Sequence, residues 1–402
     1  KTKPCDETNL TMNTPLEINI KHTSVLLVAH YATFAYQDLL YRYLTQKEAR
    51  LVTKINFPLP DLPILHHIEL TYAAHGKPVV TKNISSLWKP AVLAYLYQVF
   101  QYLWLILRAP HIYDYVIAED SLLAFTSIIL RALGKVRHVI FYSHGIDFTR
   151  FSSSWSNKLY QSLDRFSARN SDYNWSLSQN MIPIRKRQGI AENRLFWVPS
   201  SLPIDILSRK SFVSNHSIVF LGVINDKNGV GILPDIIMEV RKKVPDVHLD
   251  IMGEGDMKKE LQSRIKKLGL GKHIRMLGNV KFQQFKNTMT NYRMGLVTYK
   301  YSEVNLIPTS DSMKMRVYLA AGLPVVLTKG FIFSDEVVKN NLGFAVEYDV
   351  KGFAKSILQI MTDDALSRRL RTNALAYSKT MDLTGIYNRT FADILSRPLT
   401  SK

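Results

Sequence analysis

Short apolar runs alternate along the chain with longer amphipathic stretches. In the first half, SVLLVAH (24–30), YDYVIAED (113–120) and HVIFYSH (138–144) predict buried strands, and SLLAFTSIILRAL (121–133) predicts a helix. Further strands are predicted at RLVTKINF (50–57), DYNWSLS (172–178) and FWVPSS (196–201), and further helices around 36–48 and 155–169. Strands that alternate with helices are typical of parallel sheets covered by helices on both faces.

The second half repeats this alternation. Its predicted strands are SIVFLG (217–222), HLDIMG (248–253), HIRMLG (273–278), MGLVTY (294–299), PVVLT (324–328) and GFAVEY (343–348). A length of 402 residues also favours two domains. We therefore predict an α/β protein with two doubly wound Rossmann-like domains that face a central cleft. The predicted divisions are an N-terminal tail (1–22), an N-terminal domain (23–204), a C-terminal domain (205–385) and a C-terminal helix or tail (386–402).

The stretch AVLAYLYQVFQYLWLIL (91–107) is the most apolar part of the sequence. It is slightly shorter than the roughly 20 residues that a membrane-spanning helix needs. Two interpretations remain open, a helix of the core and a helix that lies in the plane of a membrane surface. Its aromatic residues and the flanking Lys89 and Arg108 favour contact with a membrane.

The chain carries a net charge of +19, with the basic excess spread over both halves. Such an excess favours an anionic partner, which is a nucleic acid, an anionic membrane or a phosphorylated ligand. No helix-turn-helix, zinc or RNA-binding motif is present, and we expect no nucleic-acid partner. The single cysteine, Cys5, excludes cysteine-based zinc sites and agrees with a reducing compartment.

Residues 311–328, DSMKMRVYLAAGLPVVLT, combine a helix with a basic start. Gly322 and Pro324 end the helix before a buried strand. Lys314 lies at the helix start, where free backbone N–H groups and the helix dipole favour negative charge. The segment therefore predicts an anion-binding site.

The loop FLGVINDKNGVG (220–231) also suits an anion. Gly222 ends a strand, and Lys227 and Gly229 precede the next helix. A lysine at a glycine-bearing helix start favours phosphate. A surface lysine in a turn explains the same pattern equally well.

Two other segments follow strands of the same half. LGNV (277–280) offers Asn279 and Val280, whose backbone groups suit the edge of a nucleotide base. The polar stretch 298–314 is long for a loop in a compact domain and runs into the helix at Lys314, so we predict that it binds ligand.

In order and spacing, FLG…K.G, MGEG, LGNV and SDSMK..VYLAAGLPVV resemble the C-terminal domain of GT-B glycosyltransferases of the large family-4-like group, over roughly residues 217–395. In such enzymes this domain binds the nucleotide sugar. The resemblance implies that Lys227 and Lys314 neutralise the diphosphate, that Asn279 and Val280 flank the base, and that Ser310 and Asp311 approach the sugar or phosphate. Gly222, Tyr299 and Met313 complete the predicted donor site.

Three positions depart from the family pattern. The family commonly has two glutamates eight positions apart, where this chain has Thr309 and Val317, and an arginine where it has Val223. A subgroup with lysine at the position of Lys314 is more similar to this chain. The donor base, the sugar and the stereochemical outcome stay open.

In the first half, His144 and Asp147 follow a predicted strand. Asp147 suits a base for the acceptor hydroxyl in an inverting enzyme. Alternatively, His144 contacts the donor sugar, as a histidine of this region does in the resembling retaining enzymes. A turn cap at Asp147 and a core histidine at His144 are the structural alternatives.

Two more loops point toward the same cleft. HYATFAYQDLL (30–40) brings His30, Tyr31 and Gln37 after the first strand, and we predict that they line an acceptor site. Asp120 precedes a predicted helix, and we interpret it as the N-cap.

The predicted function is that of a metal-independent, hexosyltransferase-like glycosyltransferase in polysaccharide biosynthesis. It uses a UDP- or GDP-linked sugar as donor, needs no cofactor, and acts on a glycan or lipid-linked acceptor. We expect it to be cytoplasmic and peripheral to the inner face of the cell membrane, with residues 91–107 on the anionic surface. A non-catalytic nucleotide-sugar-binding protein and, on charge alone, a nucleic-acid-binding protein are the alternatives. The sequence does not specify the acceptor or the oligomeric state.

Overall fold

In the computed structural model of the chain, the described residues are 18–30, 36–60, 65–87, 91–145, 153–200, 212, 214–280, 288–300, 312–330 and 333–396. They form two α/β units, each built on one sheet. The predicted fold class is confirmed, and so are all the strands predicted from apolar runs, with ends that shift by a few residues.

The N-terminal sheet has eight strands in the order β4-β3-β2-β1-β5-β6-β7-β8. The strands are β1 (Ser24–His30), β2 (Leu51–Phe57), β3 (His67–Ala74), β4 (Lys77–Ser85), β5 (Tyr113–Ala118), β6 (Val136–Ser143), β7 (Tyr173–Ser176) and β8 (Leu195–Trp197). The helices are α1 (Tyr36–Gln46), α2 (Ala91–Arg108), α3 (Ser121–Ala132), α4 (Ser154–Asn170) and α5 (Met181–Arg187). Strands β1, β2 and β5 to β8 pair in parallel, which follows from the helical connections between them.

The hairpin of β3 and β4 adds an antiparallel edge that we did not predict. Its turn consists of His75 and Gly76, with φ of 48° and 78°. Two successive positive φ values are the pattern of a type I′ turn, the commonest two-residue hairpin connection. His75 replaces the asparagine or aspartate that usually signals this turn.

The C-terminal sheet has six strands in the order β11-β10-β9-β12-β13-β14, all parallel. The strands are β9 (Ser217–Leu221), β10 (His248–Met252), β11 (Ile274–Gly278), β12 (Met294–Val297), β13 (Val325–Thr328) and β14 (Gly343–Val346). The helices are α6 (Leu233–Val240), α7 (Lys258–Lys267), α8 (Met313–Ala320), α9 (Ser334–Lys339), α10 (Val350–Thr362), α11 (Asp364–Thr380) and α12 (Leu383–Ser396).

The last described helix, α12, packs against the N-terminal unit. The ring of Tyr43 on α1 stacks on Phe391 at 5.9 Å, and its hydroxyl donates to Oδ1 of Asn388 at 2.8 Å. Trp175 of β7 meets Phe391 edge-on at 5.5 Å. Ile20, which we assigned to the N-terminal tail, is buried in the same core. One apolar cluster thus joins the two units.

Helix α2 has one buried face and one exposed apolar face. Tyr102 and Ala94 are fully buried against the N-terminal sheet, and Gln98 is buried with them. Six exposed apolar side chains line the opposite face; we name them the apolar stripe. The apolar stripe comprises Leu93, Leu96, Tyr97, Phe100, Trp104 and Leu107, with Phe100 68% and Trp104 51% exposed. The core interpretation therefore holds for one face of the helix, and the opposite face is apolar and exposed.

Within the described part of the chain, no helix combines the length and the apolarity needed to cross a bilayer.

Both sheets reverse their strand order at a switch point. In the N-terminal sheet, β1 lies between β2 and β5; in the C-terminal sheet, β9 lies between β10 and β12. In open α/β sheets, the loops on the two sides of a switch point diverge to opposite faces and form a crevice at the carboxyl ends of the strands. Ligands of open α/β sheets bind in such crevices.

Candidate functional site

The switch point of the C-terminal sheet holds the buried ammonium group of Lys314. Lys314 lies in the first turn of α8 and is only 9% exposed. Its Nζ donates a hydrogen bond to Oδ1 of Asn228 at 2.9 Å and lies 4.5 Å from the ring centre of Tyr299. The Phe220 ring is 5.0 Å away. Burial lowers the pKa of Lys314 to about 7, because the aromatic surroundings solvate an ammonium poorly.

Gly222 is required for this position of the lysine. A Cβ atom at residue 222 would lie 2.7 Å from Nζ of Lys314. Its φ of 147° is also a value that side-chain-bearing residues rarely adopt. The glycine that ends β9 therefore leaves the volume that the ammonium group occupies.

The loop between Gly222 and α6 is held closely against β12. Asn228, which the sequence analysis missed, accepts from Lys314, and its carbonyl accepts from Oγ1 of Thr298 at 2.9 Å. The next residue, Gly229, has a φ of 63°, and a Cβ there would lie 1.7 Å from the carbonyl oxygen of Thr298. Asn228 could have been predicted from its position directly before Gly229, where a short amide side chain can turn toward the sheet.

Among the remaining predicted donor residues, the described contacts bring Tyr299 to Lys314. Lys227 and Asn279 are exposed, Val280 packs partly against the core, and Tyr299 lies beside Lys314. Met313 begins α8. Ser310 and Asp311 lie outside the described residues.

In the N-terminal sheet, His30 joins three elements at the switch point. Its Nδ1 is hydrogen-bonded to Oδ2 of Asp120, and its Nε2 lies 3.0 Å from Oε1 of Gln98 on α2. The amide nitrogen of Gln98 donates to the carbonyl of Pro58 at 2.8 Å, which fixes the orientation of the amide. Both ring nitrogens of His30 therefore face side-chain oxygen atoms, which hold the imidazole in one orientation.

Asp120 has two functions in this arrangement. Its Oδ1 accepts from the backbone N–H groups of Leu122 and Leu123, both at 2.9 Å, which confirms the predicted N-cap of α3. Its other oxygen holds His30. The residue that caps α3 therefore also orients the side chain of His30 at the carboxyl end of β1.

Glu119 and His144 face each other across the ends of β5 and β6. Oε2 of Glu119 lies 3.7 Å from Nε2 of His144; the Glu119 side chain is 8% exposed and that of His144 is 32% exposed. Burial, reinforced by the nearby carboxylates of Asp120 and Asp38, raises the pKa of Glu119 to about 8. Burial lowers the pKa of His144 to about 4. Glu119 was not among the residues predicted from the sequence, although it follows a strand directly.

A third predicted residue of this half, Gln37, is buried on α1. The buried side chain of Gln37 donates to the carbonyl of Ile55 at 3.4 Å, and no contact among the described residues joins it to His30. Tyr31 and Asp147 lie outside the described residues.

A buried ion pair supports the end of β6. The guanidinium of Arg185 on α5 is fully buried and binds both carboxylate oxygens of Asp164 on α4, at 2.5 and 3.0 Å. It also donates to Oγ of Ser143 at 3.0 Å, and Ser143 precedes His144 in the chain. The Asp164 carboxylate accepts from Oγ of Ser121 at 3.2 Å.

Among the described residues, no three His, Cys, Asp or Glu side chains converge as metal ligands.

Comparison with known proteins gives the same fold and a family match for part of the chain. Residues 208–376 match the sequence profile of the family described as Glycosyl transferases group 1. Among curated proteins, no sequence matches the chain.

Solved structures of similar fold cover almost the whole chain. HepE of Anabaena, crystallised in complex with UDP, gives a TM-score of 0.69 at 16% identity, over 93% of this chain and 100% of HepE. Sucrose-phosphate synthase of Thermosynechococcus elongatus gives a TM-score of 0.72 at 12% identity, over 93% of this chain and 100% of the synthase. TarM of S. aureus, crystallised with UDP, gives a TM-score of 0.61 at 14% identity, over 90% of this chain and 84% of TarM. The resemblance drawn from the sequence is confirmed: the chain has the GT-B fold, and its residues 208–376 match the glycosyl transferases of group 1.

Proposed function

We propose that the protein transfers a sugar from a UDP- or GDP-linked donor to a glycan or lipid-linked acceptor at an anionic membrane surface, without a metal ion. The observation that carries the proposal is the buried ammonium group of Lys314 at the switch point of the C-terminal sheet. HepE, which shares the fold, was crystallised with UDP-glucose, and this supports a nucleotide diphosphate sugar as donor.

The donor site is suited to a leaving diphosphate. In transfer, the bond between the anomeric carbon and the phosphate oxygen breaks, and negative charge develops on the diphosphate. A buried ammonium group stabilises such charge more strongly than an exposed one, because little water competes with it. Lys314 in the first turn of α8 places this charge beside the helix N-terminus, which favours an anion as well. These two groups perform the neutralisation that a divalent cation provides in other transferases.

Thermal stabilisation by a panel of UDP-, GDP- and other nucleotide diphosphate sugars tests the donor. A ligand at a hundredfold its Kd stabilises the folded protein by about 2.7 kcal/mol. Release of the nucleotide diphosphate in the presence of lipid-linked and soluble glycan acceptors then tests transfer. Stabilisation by no nucleotide diphosphate sugar would contradict the proposal.

Donor binding is expected to take up a proton above pH 7. In the free protein the pKa of Lys314 is lowered to about 7, so at pH 8 most molecules carry a neutral amine. A bound diphosphate favours the ammonium form and raises this pKa. The affinity for a nucleotide diphosphate sugar should therefore fall as the pH rises from 7 to 9, by up to about tenfold per pH unit.

Calorimetry at pH 8 in two buffers of different ionisation enthalpy measures this uptake. The exposed Lys242, which pairs with Glu239 on α6, provides the control: Lys242→Met should keep both the proton uptake and the pH dependence. An affinity that stays constant from pH 7 to pH 9 would contradict the expected titration of Lys314.

The apolar stripe of α2 supports the membrane part of the proposal. It exposes large aromatic side chains, and the guanidinium of Arg108 lies 4.6 Å from the ring centre of Trp104 at the end of the helix. Aromatic rings with adjacent cations are typical of helices at the membrane interface. The buried face of the same helix carries Gln98, which contacts His30. One helix thus connects the proposed membrane contact to the proposed acceptor site, as a lipid-linked acceptor requires.

Phe100→Glu/Trp104→Glu is expected to reduce binding to vesicles that contain anionic lipid, by at least about tenfold in partition coefficient, because two apolar groups are lost from the interface. Liposome flotation measures the bound fraction. Val338→Glu, an equally exposed apolar position on α9, is the matched control and should bind like the unchanged protein. Equal flotation of the double variant and the unchanged protein would remove the membrane contact from the proposal.

A further inference from the structure

We propose that the membrane-binding surface of this protein extends from α2 over a layer of three helices, α2, α3 and α4, and that α4 is its second anchor on anionic lipid. The inference rests on the proposed function only for the contact of α2 with lipid. The side chains of α4 carry the rest, and none of them belongs to the donor or acceptor residues described above.

The three helices lie side by side on one face of the N-terminal sheet, with α3 in the middle. Oη of Tyr102 on α2 is hydrogen-bonded to Oγ of Ser127 on α3 at 2.9 Å. On the other side, Oγ of Ser167 on α4 donates to the carbonyl of Ser121 on α3 at 2.8 Å. Buried side chains of all three helices share one apolar cluster with the strands. Since packed helices are spaced by roughly 8–10 Å, α2 and α4 lie about 20 Å apart.

Helix α4 exposes large apolar side chains, as α2 does. Trp155 is 71% exposed, Leu159 55% and Phe166 45%. Their spacing along the sequence places all three on one side of the helix. The Phe166 ring meets Phe125 of α3 edge-on at 5.7 Å, so this side is next to α3. Leu133, which caps α3, is also exposed. Apolar side chains therefore lie on the outer surface of all three helices.

The exposed charges of this layer have one sign. The sequences of α2, α3 and α4 contain a single acidic residue, Asp164, which is buried in its ion pair with Arg185. Exposed basic residues run along α4 beside its apolar side chains, and no carboxylate of the described residues forms an ion pair with them. We name them the basic border; it comprises Lys158, Arg165 and Arg169.

An anionic lipid surface fits this layer better than a second copy of the chain does. Two copies joined through the layer would bring like charges together, which opposes association. A bilayer with anionic lipid accepts both kinds of side chain, because aromatic rings insert at the headgroup level and lysine and arginine bind the lipid phosphates. Charge and apolarity together therefore indicate lipid.

The layer also determines which edge of the protein lies near the bilayer. Trp155 is in the first turn of α4, which connects the parallel strands β6 and β7 and so begins at the carboxyl end of β6. On α2, Gln98 contacts His30 at the carboxyl end of β1. A single helix on lipid leaves the protein free to rotate about the helix axis. A second anchor about 20 Å away restricts that rotation and holds the proposed acceptor site beside the bilayer.

Flotation of full-length Trp155→Gln/Leu159→Gln with vesicles of equal parts phosphatidylglycerol and phosphatidylcholine tests the second anchor. Glutamine is a good helix former and adds no charge. We expect the partition coefficient to fall by at least about tenfold, because two apolar side chains are lost from the interface. Val338→Gln, at an exposed apolar position of α9, should bind like the unchanged protein. A folded α4 variant that floats like the unchanged protein would overturn the proposal.

Lys158→Gln/Arg165→Gln tests the basic border. Each cation near an anionic leaflet strengthens binding by about fivefold, so the loss should be about 10- to 30-fold on these vesicles. On vesicles of phosphatidylcholine alone the change should stay below about twofold. Lys266→Gln/Lys267→Gln removes two exposed charges of α7 in the C-terminal unit and should bind like the unchanged protein. An equal loss in both charge variants would assign the attraction to net charge and refute the role of this layer.

A nitroxide label reports the position of α4 directly. It is attached at Leu159→Cys in a Cys5→Ser background, with Val338→Cys as the control site. On vesicles, the label on α4 should gain access to oxygen and lose access to a water-soluble nickel chelate, whereas the control label should change in neither respect. A label on α4 that stays equally accessible to the chelate would contradict its contact with lipid.

The outcomes also separate this inference from its rivals and from the proposed function. If sedimentation shows that Trp155→Gln/Leu159→Gln dissociates an oligomer while flotation is unchanged, the layer joins two copies and the inference fails. If only the Phe100→Glu/Trp104→Glu variant loses flotation, α4 is no anchor and the proposed function stands. If the α4 variants lose flotation but no nucleotide diphosphate sugar stabilises the protein, the proposed function fails and the lipid-binding layer stands.

Discussion

Replacing Lys314 by methionine is expected to weaken binding of a nucleotide diphosphate sugar by at least about 30-fold, because loss of one partner of a buried charge pair costs about 2–5 kcal/mol. Methionine keeps an unbranched side chain of similar length between Phe220 and Tyr299, so the packing of α8 against β9 should survive. Calorimetry with the donor identified by thermal stabilisation measures the change in Kd, and circular dichroism confirms the fold.

Two further variants test whether donor binding depends on the position of the Lys314 ammonium group or only on the presence of a positive charge. Gly222→Ala keeps the lysine but introduces a Cβ 2.7 Å from its Nζ and a strained φ, so it should also weaken donor binding. Lys242→Met removes an exposed lysine of the same unit and should change Kd by less than about twofold, since exposed charges contribute little. Wild-type affinity in Lys314→Met would contradict the role assigned to the buried ammonium group.

Replacing Arg185 by methionine is expected to lower the free energy of unfolding by about 3–5 kcal/mol, the usual cost of removing one partner of a buried ion pair. The variant leaves the Asp164 carboxylate buried with only hydroxyl donors such as that of Ser121. It also leaves Oγ of Ser143 without the guanidinium that it accepts from. Urea denaturation followed by tryptophan fluorescence measures the change, and activity should fall with it because Ser143 precedes His144.

The double variant Arg185→Met/Asp164→Leu is the informative control. It removes both charges, and apolar replacements for a buried pair are often neutral or stabilising, so most of the lost stability should return. Lys186→Met, which removes a partly exposed ion pair with Glu192, should cost no more than about 1 kcal/mol. A double variant as unstable as Arg185→Met would mean that packing of the arginine, and not its pairing with Asp164, stabilises this region.

The strands of both sheets could be predicted from the sequence because each is a short apolar run between polar segments. The hairpin of β3 and β4 could not, since β4 is exposed along nearly all its length and has no buried face to produce an apolar pattern. Its turn, His75-Gly76, also lacks the usual asparagine. Edge strands show the weakest hydrophobic periodicity. The place of this hairpin in the sheet is set instead by the pairing of β3 with β2.

The candidate site was predictable to the level of loops but not of individual contacts. Lys314 was predicted because it lies in the first turn of a helix that follows a long polar segment. Its hydrogen bond to Asn228 joins residues 86 positions apart, and no local pattern reports such a contact. The same holds for Glu119, whose facing partner His144 lies on the neighbouring strand and whose altered pKa comes from burial.

The contact between α12 and the N-terminal unit has a consequence for biosynthesis. Tyr43 and its hydrogen-bond partner Asn388 are 345 residues apart in the chain. During translation, the aromatic surface around Tyr43 and Trp175 leaves the ribosome long before the helix that covers it. The N-terminal unit is synthesised first, yet its core is complete only when α12 has been made. A nascent chain that stops before Leu383 therefore leaves an apolar surface of the N-terminal unit exposed.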